Sequence, residues 1–372
     1  MNPLPEEYSE VAAAAQLQRK REHLIGLLAP LGAPEPEVQA SAPMHFRQRA
    51  EFRIWPEGEE TCYLMFGGPD SRERLRLREF PTASLRINAL MTQLLQVLAT
   101  LPVLKRKLWQ AEFLDTLAGD SMVTLVYHRR LDEEWEQAAR QAARELGAMI
   151  VGRSRGQRVV LERDWVLESL EVEGHRLSYR QPESSFTQPN AAVNQAMLGW
   201  ARRACADSGG GDLLELYCGI GNFTVAVAGC FRQVLATEIG AAAISAARHN
   251  LAANGITNTV VARLSSAEAA SAMARERPFR RLKDFDLDGF QPQTLLVDPP
   301  RAGLDRDTLA LAANFSRIVY VSCNPQSLCR DLQVLGPDFR ITRTALFDQF
   351  PYTPHMECGV VLERQTSGAS HP

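Results

Sequence analysis

The spacing of apolar positions changes partway along the chain. Between residues 46 and 80 apolar and polar residues alternate with a period of two, as in Glu51-Phe-Arg-Ile-Trp55 and Arg72-Glu-Arg-Leu-Arg-Leu-Arg78. Such alternation predicts strands with one buried face, and it puts Arg72, Arg74, Arg76 and Arg78 on one side and Leu75 and Leu77 on the other. Upstream, Val11, Leu17, Leu24, Leu27, Leu28 and Leu31 predict a helix from Tyr8 to about Leu31, ended by Gly32 and followed by a proline-containing linker to Pro43. Helices are expected around Ser84–Thr100 and Asp132–Leu146, a strand at Met122–His128, and more strands from Ile150 to Tyr179.

Beyond the glycine-rich Asp207-Ser-Gly-Gly-Gly-Asp212, short apolar runs alternate with helical segments. Leu213–Leu216, Val234–Thr237, Leu295–Val297 and Ile318–Val321 are apolar on both strand faces. Strands of that kind are covered by helices on either side, so the expected fold is α/β: a doubly wound parallel sheet behind a smaller α+β N-terminal domain. A length of 372 residues suits two domains.

Composition removes several classes of function. No apolar stretch spans a bilayer, and Met1-Asn-Pro-Leu-Pro-Glu-Glu7 lacks the basic start of a secretory signal, so a cytoplasmic protein without a membrane role is expected. Net charge of −3 excludes a uniformly basic nucleic-acid coat, although basic residues outnumber acids between Met44 and Gln110. The arginine face at 72–78 is either a solvated strand face or a phosphate-tracking stripe. Seven cysteines, an odd number with no Cys-x-x-Cys, argue for reduced thiols and against a zinc or iron–sulfur site.

Leu213-Leu-Glu-Leu-Tyr-Cys-Gly-Ile-Gly-Asn222 reads as a strand, a Gly-x-Gly turn at Gly219 and Gly221, and a helix start. Glu238, at the end of the next strand, stands where a ribose diol would be held. Without a third glycine for a pyrophosphate, the better cofactor is a nucleoside lacking phosphates, such as S-adenosylmethionine. Later strands end in Asp298-Pro-Pro-Arg301 and Ser322-Cys-Asn-Pro325. A thiol at such a strand end can add to C6 of a pyrimidine and make C5 nucleophilic, which replaces one hard step with two easier ones. A base must then remove the C5 proton, and His355 and Glu357 are both candidates.

Four segments, Glu215-Leu-Tyr-Cys-Gly219, Val297-Asp-Pro-Pro-Arg301, Ser322-Cys-Asn-Pro325 and Phe347-Asp-Gln-Phe-Pro-Tyr-Thr-Pro-His-Met-Glu-Cys-Gly359, resemble the bacterial tRNA (uracil-5-)-methyltransferase family. So do Gln181, Ser185-Phe-Thr-Gln-Pro-Asn190 and Arg49-Ala-Glu-Phe-Arg-Ile-Trp55. The resemblance implies an RNA-binding region over residues 1–180, with helix 8–31 free to pack elsewhere. It implies a Rossmann-like methyltransferase domain over residues 181–372.

The same resemblance makes Cys323 the nucleophile and Glu357 the base, with His355 in support. It makes Gln188, Tyr217, Gly219, Asn222, Glu238 and Asp298 the S-adenosylmethionine contacts, with no metal and no iron–sulfur cluster. Arg301 would orient the uracil, and Arg53, Trp109 and His128 would lie near the RNA. Trp109 stands where the family has Phe. The implied partner is the T-arm of tRNA, with tmRNA as a second substrate and no obligate protein partner. The Cys323 thiol is expected to have a lowered pKa, with Arg301 and the sulfonium as sources. An RNA cytosine-5 methyltransferase would carry a second cysteine in the motif occupied by Asp298–Arg301, and ribosomal-RNA relatives carry a four-cysteine motif absent here. An RNA-binding protein whose methylation is secondary is the reading from outside enzymology.

Overall fold

The computed structural model describes residues 8–57, 60–66 and 74–365. Its contacts separate residues 8–13, 42–170 and 180–191 from residues 14–41, 171–179 and 192–365. The division is therefore discontinuous along the chain, and most of the N-terminal helix, left free by the sequence to pack elsewhere, falls in the second unit. The helix Glu10–Leu28 buries Leu24 and Leu28 in the core of the second unit, in one cluster with Leu214, Leu295 and Leu328. A turn at Ala29–Leu31 follows, and Gly32 ends it at φ 71°. The strand Glu37–Gln39 then pairs in parallel with Phe339–Phe347 at the edge of that unit's sheet.

The first unit holds a seven-stranded sheet in the order Arg74–Leu77, Glu60–Phe66, Arg49–Glu57, Leu108–Asp115, Ser121–Tyr127, Met149–Ser154 and Gln157–Val160. The helices Leu85–Thr100 and Glu133–Leu146 start where the sequence predicts. The Ile87 N–H donates to Ser84 Oγ and the Trp135 N–H to Asp132 Oδ1, which satisfies amides that a helix start leaves unpaired. Both helices bury residues in one core with Phe52, Tyr63 and Phe113. Arg72 lies outside the described residues. In the edge strand Leu77 is buried, while Arg76 and Arg78 are exposed, as period-two reading requires.

The second unit is built on an eight-stranded sheet. Its order is Glu37–Gln39, Phe339–Phe347, Glu357–Arg364, Arg317–Ser322, Pro292–Val297, Asp212–Leu216, Gln233–Glu238 and Thr259–Arg263. The four apolar runs read from sequence are its central parallel strands. Glu357–Arg364 alone runs against both neighbours. Gly359 lets the helix Ala191–Ala206 approach this strand, since a Cβ there would lie 2.7 Å from the Trp200 ring. Among the described residues no helix is long and apolar enough to cross a membrane.

Candidate active site

Parallel strands deliver their carboxyl ends to one edge of the sheet. Tyr217, Glu238, Asp298 and Cys323 are the last residue of a strand or the first beyond one, so all four emerge there. The antiparallel strand brings its first residue, Glu357, to the same edge. Ser322 pairs with Cys358, so one step further along each strand puts Cys323 opposite Glu357. Asp298 follows Val297, whose partner on the Cys323 strand is Tyr320.

The loop after Asp298 is held from beneath. Asn324 Nδ2 donates to the Arg301 carbonyl at 2.9 Å, and Asn324 Oδ1 accepts the Gln326 N–H at the start of the next helix. Buried Asp331 accepts the Leu304 N–H and the Tyr320 hydroxyl, both at 2.8 Å. The Arg301 side chain is exposed.

Proton affinity at this edge runs opposite to the expected lowering of the thiol. Burial, then the charges of Glu357 and Asp298, push the Cys323 thiol up to about 11, and Arg301 pulls it down only in part. Burial and Asp298 likewise hold Glu357, 3% exposed, well above the carboxylate range against the pull of Arg301. Burial alone raises half-buried Asp298 to about 7. The protein supplies three acidic groups and one opposing guanidinium, so the thiol is raised by its surroundings rather than activated. His355 is exposed, and its pKa is lowered by partial burial and by the cations Arg301 and Lys20.

The glycine turn forms an open cradle. Tyr217 takes φ 62°, strained for an aromatic residue, and Gly219 and Gly221 follow at 56° and 81°. No atom lies within 4 Å of where a Gly219 Cβ would point, whereas one on Gly221 would press on Ala247. Glu238 Oε2 accepts the Gly219 N–H at 3.1 Å, and Oε1 accepts those of Ile239 and Gly240 at 2.8 and 2.7 Å. The carboxylate is thereby fixed with acceptor capacity left for a diol. Ile239 beside it is 64% exposed, an apolar surface suited to a flat base. These features fit S-adenosylmethionine.

Asn222 exchanges two amide hydrogen bonds with Asn194, at 2.9 and 3.0 Å. Gln188 belongs to the other unit, and its Oε1 is a buried acceptor without a partner. Sequence reading missed Asn194, Ile239, Asn324 and Asp331. Only Asn324 had a local signal, an Asn directly before a helix-starting proline.

In the first unit, strand pairing gathers the three residues expected near RNA. Arg53 faces Gln110 across the sheet, and its guanidinium lies 3.7 Å from the Trp109 ring centroid. The Trp109 and His128 rings are 4.6 Å apart. Trp109 is 38% exposed, so the cluster presents an aromatic face backed by a cation.

The model of the family described as tRNA (Uracil-5-)-methyltransferase matches residues 12–365. The chain belongs to this family. Its members include the tRNA/tmRNA (uracil-C(5))-methyltransferase of Dechloromonas aromatica strain RCB, 50% identical over 98% of this chain and 100% of that one. The Pseudomonas aeruginosa protein of the same description is 52% identical over 96% of this chain and 99% of its own length. The fold matches a Pyrococcus abyssi tRNA (uracil-54, C5)-methyltransferase solved with S-adenosyl-L-homocysteine. That match has a TM-score of 0.70 at 21% identity and covers 94% of this chain and 83% of that one. This family member is an S-adenosylmethionine-dependent methyltransferase acting on uracil C5 of tRNA.

Proposed function

We propose that the uridine methylated is position 54, in the T-arm of tRNA, with the corresponding element of tmRNA as a second substrate. The reaction runs through a covalent adduct on Cys323. The observation that carries this reading is the register that sets Cys323 and Glu357 side by side at the carboxyl edge of the sheet.

Cys323 Sγ, as thiolate, bonds to C6 of the uracil, and the electron pair displaced makes C5 enolate-like. Arg301 faces the charge that develops on the ring oxygen. S-adenosylmethionine, when bound, supplies an electrophilic methyl group to C5. Glu357 then takes the C5 proton, the C5–C6 double bond re-forms and the Sγ–C6 bond breaks. Tyr217, Gly219, Asn222, Glu238 and Asp298 are the cofactor contacts, and Gln188 is retained among them on the family resemblance alone. Trp109, with Arg53 and His128, stacks on an unpaired base; taking the uridine from a loop costs less than opening a duplex pair.

The test is incubation with S-adenosylmethionine and an unmodified tRNA transcript, with nucleosides identified by mass spectrometry. 5-Methyluridine in the T loop is expected, lost in Cys323→Ala and replaced by an SDS-stable protein–RNA adduct in Glu357→Gln. 5-Methylcytidine, or methylation of ribosomal RNA alone, would overturn the substrate assignment.

A further inference from the structure

The N-terminal helix carries a charge where its pattern calls for a hydrocarbon. Leu17, Lys20, Leu24, Leu27 and Leu31 recur at intervals of three and four, a single helical stripe. Leu24 and Leu28 are core residues, and Lys20 is as buried as they are, at 4% exposed. An ammonium in such a place loses its hydration, which is unfavourable unless the charge is paired. Lys20 Nζ is bonded to Asp348 Oδ1 at 2.6 Å and to the Phe350 carbonyl at 2.9 Å.

Both partners lie in one loop. Phe339–Phe347 and Glu357–Arg364 are adjacent strands, and residues 348–356 join them. The helix grips that loop again one turn earlier, where Gln16 Nε2 donates to the Thr353 carbonyl at 2.9 Å. Asp348 is 2% exposed, and its N–H donates to the Gln39 carbonyl, so the anchor point is itself fixed. The same helix also meets the element that follows Cys323. Gln326 Nε2 is 3.1 Å from His23 Nε2, and Cys329 Sγ donates to the Leu27 carbonyl at 3.7 Å. One helix thus braces the approach to Glu357 and the helix downstream of Cys323.

We infer that Lys20 is a positioning residue: through Asp348 and the Phe350 carbonyl it sets where Glu357 stands relative to C5 of the bound uracil. The inference rests on the reading of Glu357 as base. A buried ion pair is often replaceable by apolar residues without loss of stability, so its function lies in geometry. Proton removal by Glu357 falls after adduct formation. A displaced Glu357 therefore slows release of the methylated adduct, while addition of Cys323 to C6 continues.

The experiment uses the full chain with Lys20→Met and with the doubly uncharged Lys20→Met/Asp348→Leu. For each, kcat, both KM values, the melting temperature and the fraction of enzyme held as SDS-stable RNA adduct are measured. Lys20→Met is expected to lower kcat about tenfold or more. KM for tRNA and for S-adenosylmethionine should change by no more than about twofold, and the adduct fraction should rise. The double variant should regain the melting temperature while keeping the raised adduct fraction, and it carries the test if Lys20→Met does not fold. A wild-type adduct fraction in the folded variant would overturn the inference. If Glu357→Gln accumulates adduct and the Lys20 variants do not, only the role of Lys20 fails. If Glu357→Gln accumulates none, the base assignment fails and this inference with it.

Discussion

At the scale of single residues, the active edge holds protons more tightly than its chemistry first suggests. Alkylation of Cys323 by iodoacetamide, followed on its own peptide by mass spectrometry, should have a pH midpoint well above the ordinary thiol value of about 8.5, since burial, Glu357 and Asp298 raise it to about 11. Arg301→Met should move the midpoint higher, because Arg301 is the charge that opposes them. A midpoint below 8.5 would mean that the two acids do not face the thiol. None of this was readable from Ser322-Cys-Asn-Pro325, because the thiol's environment comes from residues 25 positions before it and 34 after it. Cys323 and the glycine turn stood out because each sits in a short motif at a strand end, whereas the residues alone left His355 and Glu357 both open and the family resemblance chose Glu357. Asn194 was not, since its meaning comes from one partner, Asn222, on another helix.

At the scale of elements, what the sequence conveyed well was period and punctuation. Ser84 and Asp132 open helices because their side chains cap them, and Leu213–Leu216 reads as an inner strand because both of its faces are buried. Period says nothing about partner, which is why the first helix was recognised while the unit it joins was not. The loop carrying Arg301 offers a direct check on element packing. Gly303 takes φ 79°, and a Cβ there would come 2.5 Å from Asp331 Oδ2 and 2.6 Å from Arg330 Nη2. Gly303→Ala should therefore cost about 2–3 kcal/mol through left-handed strain and a disturbed buried carboxylate. The cost would appear as a lower urea midpoint together with weakened activity. An unchanged midpoint would mean the loop is not seated on Asp331.

For the whole molecule, carboxyls whose proton affinity is raised by burial, Glu357 among them, shape how stability follows pH. Burial raises Glu215 to about 8 and both Glu168 and Asp298 to about 7. The folded chain keeps protons there that the unfolded chain has already lost above its ordinary carboxylate values. Folding stability from this source is full below about pH 4.5 and is lost as pH climbs through 7 and 8. The melting temperature should fall from pH 5.5 to pH 8.5, and Glu215→Gln should flatten that slope; a parallel slope in the variant would show that Glu215 is ionised in the native protein. A longer-range consequence follows from the strand Glu357–Arg364, which lies between two strands made before it. During synthesis the slot between Arg317–Ser322 and Phe339–Phe347 stays open until that strand has left the ribosome. A nascent chain that has not yet delivered residues 357–364 thus leaves two strand edges unpaired and lacks Glu357. Closing the sheet and bringing Glu357 opposite Cys323 are therefore one late event.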